Sequence, residues 1–255
     1  MKQFKKSLTI TAILLVLFSC KENSEPIEIT PDHFHTAIDK VVDVMIHDIF
    51  SPPVASRVFV YPNIAAYEIL AQNDTAYFSL KNQIKHLGAI PSPNESKRIN
   101  YPLAALIAHI HLSKQLIFSE AKIETHRDSL YNVWEAKNPR EFKESKAYGL
   151  EVAAYISDWM NKDNYAQTRT MPKFSVDSED EGRWQPTPPS YMDGLEPHWN
   201  KIRSFVLESA DQFKPAPPPK FSMNKNSDFY KELVEVYEIS KEITKKGDTS
   251  EEIAI

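Results

Sequence analysis

The chain has little cysteine and little glycine, and both shortages exclude classes of protein. Its one cysteine is Cys20, so the 255-residue chain can form no internal disulfide and must be stabilised by packing. None of its five glycines lies in a GxGxxG or P-loop pattern, which leaves nucleotide binding without support. The motifs GxSxG, HExxH and CxxC are missing from the sequence as well.

An excess of positive charge is also missing. The formal net charge of −5 gives no reason to expect a nucleic acid partner. Apolar residues make up 42% of the chain, which at this length is enough for the core of one domain or somewhat more.

The first residues are typical of a targeting segment. Lys2, Lys5 and Lys6 precede an apolar run over residues 8–18 that is too short to span a bilayer. The run ends Leu-Phe-Ser-Cys at Cys20, which resembles the lipobox of a bacterial lipoprotein. We therefore expect a signal peptide over 1–19 and acylation of Cys20. An ordinary signal peptide followed by a stray thiol is the alternative.

This interpretation sets the expected location and the expected partner. After the leader no apolar run reaches about 18 residues, so the membrane would be reached through the lipid anchor alone. The protein is expected in the bacterial cell envelope. Lys21 after Cys20, in place of aspartate, resembles the signal for outer-membrane sorting.

The residues after the leader predict an all-α fold. After a tether over 20–29, helical periodicity predicts an amino-terminal helical bundle over 30–163. Thr30-Pro31 and Asn138-Pro139-Arg140-Glu141 are typical helix starts. In the first helix the apolar positions predict one broad buried face that includes Ile46 and Ile49, and Pro62 predicts a kink or break in the second.

A long Pro-rich segment follows the bundle at residues 164–220. It holds 9 of the 18 prolines, which rules out regular helix over much of its length. It also holds many aromatic residues, whereas a disordered linker has few. We predict an ordered Pro-rich strap. The acidic run Glu179-Asp180-Glu181 within it favours solvated charge over a pair of catalytic carboxylates.

A last helix is predicted within 221–255, capped by Asn226 and stopped by Gly247. Capping and acidic residues then indicate the start of a further helix just before the sequence ends at Ile255. This favours a missing continuation, and a frayed tail is the alternative.

Two histidine patterns favour structural roles. Asp43 and His47 stand four residues apart on one helix, a spacing that could hold a metal, but a solvated pair is the simpler interpretation. His109 and His111 point to different sides of a helix, so one packed and one rim histidine are expected. No metal site is predicted.

Several stretches together resemble the amino-terminal half of vanadium-dependent haloperoxidases, in the superfamily shared with type 2 phosphatidic acid phosphatases. They are residues 47–57 (HDIFSPPVASR), 63–68 (NIAAYE), 163–175 (DNYAQTRTMPKFS), 182–207 (GRWQPTPPSYMDGLEPHWNKIRSFVL) and 211–219 (DQFKPAPPP).

The resemblance implies that the chemistry lies in a second helical bundle, which would be missing from this chain. There vanadate or phosphate is held by the motifs Lys-x6-Arg-Pro, Pro-Ser-Gly-His and Ser-Arg-x5-His. Cations and backbone donors neutralise the oxyanion, and histidine ligates the metal or attacks phosphorus. This sequence has no Arg-Pro and no Pro-Ser-Gly-His, and Ser56-Arg57 is followed at the required position by Asn63. No catalytic, cofactor-binding or metal-binding residue is therefore assigned, and vanadate is expected for the full-length family only.

The sequence thus predicts the amino-terminal helical portion of a lipid-anchored vanadium haloperoxidase-like protein, not catalytically competent alone. A fragment would expose apolar surface and pair with a separately encoded catalytic bundle or with a second copy of itself. The alternative is a stand-alone envelope binding or scaffold lipoprotein. Arg169, Arg183 and Trp184 are weak candidates for a surface site, although an arginine stacked on a tryptophan is more often structural.

Overall fold

The computed structural model describes residues 25–247 and is all-α within them. No strand occurs in this part of the chain, as the sequence predicted. Seven α-helices are present: α1 Pro31–His47, α2 Pro52–Asn73, α3 Tyr101–Gln115, α4 Glu120–Lys137, α5 Pro139–Met160, the single turn α6 Tyr165–Thr168, and α7 Asp228–Lys246. A short 3-10 turn covers Trp199–Lys201.

The described chain divides into two compact units. The first unit contains residues 25–170 and 201–206, and therefore helices α1 to α6. The second unit contains residues 171–200 and 207–247, with α7 as its one regular helix among the described residues. Cys20 lies outside the described residues.

Helix α3 is the centre of the first unit. It is apolar nearly all round, and ten of its fifteen residues are buried, which fits a central position. Helices α2 and α5 pack against it. Gly149 allows the backbones of α3 and α5 to lie close together, because a Cβ at this position would lie 2.5 Å from the carbonyl oxygen of Ala104.

Two of the predicted helix starts are built as expected. Pro31 opens α1 behind Thr30, whose backbone N–H donates to Nδ1 of His33 at 3.1 Å. At the start of α5 the Oδ1 of Asn138 accepts from the Glu141 N–H at 3.1 Å, and Asn138 Nδ2 donates to the Glu141 carboxylate at 3.2 Å. These side chains satisfy backbone groups that a helix end leaves without partners.

The buried face predicted for the first helix was wrong at its end. Helix α1 stops at His47, and Ile49 takes a left-handed backbone conformation with φ 55°. Ile46 and Ile49 are 72% and 89% exposed. The apolar spacing was correct as far as Met45, which is buried, but it does not reveal where the helix stops.

Two other details differ from the sequence predictions. The break that was one of the two outcomes predicted at Pro62 does not occur, because helix α2 continues through this residue, which is buried among core residues whose packing outweighs the missing hydrogen bond. Ser227, rather than Asn226, caps α7, because its Oγ accepts from the Tyr230 N–H at 3.2 Å. Gly247 ends α7 with φ 62°, as predicted.

The helices of the first unit define two poles. At the entry pole α1, α3 and α5 begin and α4 ends, and Asn100, Asn138 and Glu141 bind the segment that leads into α1. At the exit pole α2 and α4 begin and α5 ends. Here the Asp48 carboxylate accepts from the Ser119 N–H at 2.9 Å.

Helix α7 has an apolar stripe that nothing in the second unit buries. The stripe consists of Leu233, Val236, Tyr237 and Ile239, whose exposed fractions are 42%, 66%, 57% and 43%. No residue of the helix is buried. An amphipathic helix normally gains its stability by burying such a face. The described second unit therefore leaves an apolar surface open on α7.

Candidate functional site

A buried ionic cluster lies at the exit pole, and Asp163 is its centre. Asp163 follows the end of α5 and is 1% exposed. Its Oδ2 accepts from Arg57 Nε at 2.8 Å and from the Tyr61 hydroxyl at 2.7 Å. Its Oδ1 accepts from the Tyr165 N–H at 2.8 Å. These four residues, with Arg203, are called the Asp163 cluster.

Arg203 ties residues 201–206 to this cluster. Its backbone N–H donates to the Asp163 carbonyl oxygen at 2.8 Å, and Nη1 donates to the Trp159 carbonyl oxygen at 3.0 Å. The guanidinium carbon lies 4.3 Å from the centre of the Trp159 ring, a cation–π distance. Arg203 Nε and Nη2 are buried and have no hydrogen-bond partner among residues 25–247.

The electrostatics of the cluster favour a neutral Tyr61. Burial raises the pKa of Tyr61 far above its ordinary value, and the negative charge of Asp163 adds to the effect, with the charge of Arg57 opposing it. The Arg57 guanidinium also lies 4.3 Å from the Tyr165 ring centre. Tyr61 is therefore a donor to the carboxylate and not an available base.

The geometry gives the cluster a connecting role. Both oxygens of the Asp163 carboxylate already accept hydrogen bonds, and the group has almost no contact with solvent. It joins the start of α2, the end of α5 and the returning segment 201–206. Breaking such a pair would leave a buried charge uncompensated, which is costly.

The cluster does not fit vanadate or phosphate. An oxyanion site needs several cationic or N–H donors that converge without a competing negative group. Here the Arg57 donor is directed at Asp163, and that carboxylate would repel a bound anion. Among residues 25–247 no group of three or more His, Cys, Asp or Glu side chains is placed to hold a metal.

Of the weak surface candidates, Arg169 contacts the Asp163 cluster, whereas Arg183 and Trp184 belong to the second unit. The guanidinium carbon of Arg169, in the first unit, lies 4.6 Å from the ring centre of Tyr165, a member of the cluster. Arg183, in the second unit, forms an exposed ion pair with Asp177 at 3.7 Å. Trp184 is 49% exposed and meets Phe174 edge to face at 5.6 Å.

Trp184 also borders an open groove in the second unit. The groove has a volume of about 480 Å³. Its lining includes Thr187, Pro188, Pro189, Met192 and Leu195, so the surface is mainly apolar. The structure thus places Trp184 at a depression in the Pro-rich segment, and Arg183 beside it in an ion pair.

The two histidines of α3 are placed as predicted. His109 is 3% exposed and meets the Phe34 ring edge to face, whereas His111 is half-buried. Burial lowers the pKa of His109 to about 4, so it is neutral near pH 7. His109 Nδ1 and Ser113 Oγ have no hydrogen-bond partner in the described part of the chain.

Sequence reasoning missed the Asp163 cluster. In the sequence, Arg57 stood out only in a Ser-Arg dipeptide and at the end of one matching stretch, and Asp163 only at the start of another. The two residues stand 106 positions apart, and one sequence gives no signal that they pair.

Comparison with solved structures identifies the class of protein that has this helical framework. The chain matches a crystal structure described as that of the first bacterial vanadium-dependent iodoperoxidase, with a TM-score of 0.86 and 65% sequence identity. The match covers 90% of this chain and 55% of that chain. No protein-family model and no curated protein matched.

The resemblance to vanadium-dependent haloperoxidases is thereby confirmed. The chain is haloperoxidase-like over nine-tenths of its own length, and it spans about half the length of the iodoperoxidase that it matches. Among residues 25–247 no helix is both long enough and apolar enough to cross a bilayer.

Proposed function

We propose that this chain is the amino-terminal helical portion of a lipid-anchored vanadium haloperoxidase-like protein and has no peroxidase activity by itself. The observation that carries the proposal is the 65% identity over 90% of this chain, combined with coverage of only 55% of the iodoperoxidase. The activity of the whole protein would be halide oxidation that depends on vanadate, the cofactor expected for the full-length family.

The described residues of the chain lack a set of hydrogen-bond donors that could hold vanadate, and this supports the proposed lack of activity. The anion-binding motifs that the resemblance implies are missing from the sequence. In the Asp163 cluster the Arg57 guanidinium is already paired with a carboxylate, and that carboxylate would repel a bound oxyanion. We propose that the role of this portion is to support a catalytic bundle, encoded separately or in a continuation of this chain.

Membrane attachment through Cys20 is the second part of the proposal. Its support is the basic and apolar leader that ends in a lipobox-like sequence. Acylation by several chains would hold the protein far better than a single acyl chain, which binds only marginally. The bacterial envelope, and its outer membrane, is the location that this predicts.

A halide oxidation assay tests the catalytic statement. The purified chain is incubated with vanadate, hydrogen peroxide and iodide, with the intact bacterial iodoperoxidase as positive control and a vanadate-free sample as blank. We expect no turnover above the blank. Vanadate-dependent turnover by this chain alone would refute the proposal.

A stand-alone binding or scaffold lipoprotein is the second candidate, because the first unit has a complete core of its own. Two clusters of buried residues fill it, one between α2, α3 and α5 and one against α1 and α4. The open stripe of α7 favours the supporting role instead. Sedimentation of the purified chain separates the two: a monomer at all concentrations favours the scaffold, whereas self-association or binding to a catalytic bundle favours the fragment.

A further inference from the structure

Residues 25–27 are fixed to the entry pole. The Glu25 carbonyl oxygen accepts from Asn138 Nδ2 at 3.3 Å. The Ile27 N–H donates to Glu141 Oε2 at 2.9 Å, and its carbonyl oxygen accepts from Asn100 Nδ2 at 2.7 Å. Ile27 itself is 3% exposed and belongs to the core. The carboxyl end of the predicted tether is therefore bound to the bundle.

The length of chain between Cys20 and this fixed point is small. Five residue steps separate Cys20 from Glu25. A fully extended chain spans about 3.5 Å per residue, so the separation is at most about 18 Å. An acyl group on Cys20 would keep the entry pole within this distance of the bilayer surface.

The exit pole lies at the other end of the same helices. Helix α1 has 17 residues, and a rise of about 1.5 Å per residue gives it a length of about 25 Å. A bundle lying on its α1 side would bring the exposed face of α1 to the membrane. Beyond its first turn that face carries Asp39 and Asp43 against Lys40, so an anionic bilayer would repel it.

The entry pole itself suits contact with headgroups. Its loop over residues 94–97 reads Asn-Glu-Ser-Lys, and all four residues are exposed. Polar side chains of this kind remain in the hydrated headgroup layer and do not enter the hydrocarbon core, where polar groups are costly.

We infer, on the basis of the proposed acylation of Cys20, that the first unit stands on the membrane on its entry pole. The surface that meets the lipid headgroups is the one formed by residues 94–97 and the starts of α3 and α5. The exit pole, with the Asp163 cluster and the exposed side chains of Ile46 and Ile49, faces away from the lipid.

Two matched lysine replacements test this orientation. Lys97→Cys lies at the entry pole, and Lys122→Cys lies in the first turn of α4 at the exit pole; both lysines are exposed. Cys20 is the one natural cysteine, and acylation blocks it, so a thiol-reactive fluorophore labels only the introduced residue. The full chain is expressed with its leader, purified with its acyl chains and reconstituted in vesicles that carry a nitroxide on the lipid headgroup.

We expect the headgroup nitroxide to quench the label at position 97 and to leave the label at position 122 nearly as bright as in vesicles without nitroxide. Equal quenching of the two labels, or stronger quenching at 122, would overturn the orientation. Mass spectrometry of the Cys20 peptide separates this failure from failure of the anchor. An unmodified Cys20 removes the basis of both proposals, whereas an acylated Cys20 with equal quenching removes the orientation alone.

Discussion

Replacing Asp163 by asparagine should destabilise the first unit strongly. The change keeps the shape of the side chain but removes its charge, so that Arg57 loses the partner at 2.8 Å. The Arg57 side chain is only 10% exposed and cannot recover full hydration in place. Removing one partner of a buried ion pair generally costs 3–5 kcal/mol, and we expect a loss of about 3 kcal/mol for Asp163→Asn.

Variants of other cluster residues show how much each contact contributes to this loss of unfolding free energy. Tyr61→Phe removes one hydrogen bond to a charged acceptor and should cost about 2 kcal/mol. In the double variant Asp163→Asn with Arg57→Met, the loss should be clearly smaller than the sum of the two single losses, because the uncompensated charge is gone. Arg140→Gln is the matched control in the same unit, since Arg140 is exposed and its pair with Glu144 should contribute less than about 1 kcal/mol.

Urea unfolding followed by far-ultraviolet circular dichroism is the appropriate assay. Six of the seven described helices lie in the first unit, so the helical signal reports mainly on that unit. A loss below about 1 kcal/mol for Asp163→Asn, or strictly additive losses in the double variant, would refute the connecting role of the cluster.

Three further predictions concern other parts of the chain. Because the pKa of His109 falls from 6.5 to about 4 on folding, the unfolded chain binds the extra proton between these values. Stability should then decline as pH falls through this window, and His109 should contribute up to about 3 kcal/mol of that decline. Urea titrations at each pH should show a smaller slope in His109→Gln but not in the exposed-site control His35→Gln, and a residual slope should remain because burial also lowers the pKa values of His111 and His126. Gly149→Ala should lower the melting temperature, because the new methyl group would meet the Ala104 carbonyl oxygen at 2.5 Å and cost about 1–3 kcal/mol; an unchanged melting temperature would contradict the close packing of α3 and α5. Val236→Ser should change stability by less than about 0.5 kcal/mol while weakening concentration-dependent association in sedimentation runs, and unaltered association would exclude the α7 stripe as its cause.

The predictable parts of the fold were those that local chemistry decides. The start of α5 follows from Asn138, Pro139 and Glu141, because capping acts within three residues of the helix end. The central position of α3 follows from apolar residues on every side. The class of protein was predicted from whole stretches that resemble a family, and the 65% identity to an iodoperoxidase confirms that resemblance.

The parts that could not be predicted depend on distant residues. The apolar period of α1 includes Ile46 and Ile49, but burial requires a neighbour, and none covers them in the described part of the first unit. The pairing of Arg57 with Asp163 depends on how α2 and α5 are arranged, which a local pattern does not reveal. The spacing of apolar residues in the sequence shows that α7 has an apolar face. It does not show that no described residue covers that face.

The return of residues 201–206 to the first unit makes the intervening segment a candidate for protein engineering. Asn164 Nδ2 donates to the Lys201 carbonyl oxygen at 3.0 Å, and Arg203 binds the end of α5, so the two ends of residues 171–200 are held close together. For a segment closed in this way, doubling the length costs only about 0.6 kcal/mol of closure entropy. A flexible insert can therefore be added within this segment at little entropic cost to the helical bundle, whereas deleting the segment would remove a large part of the second unit.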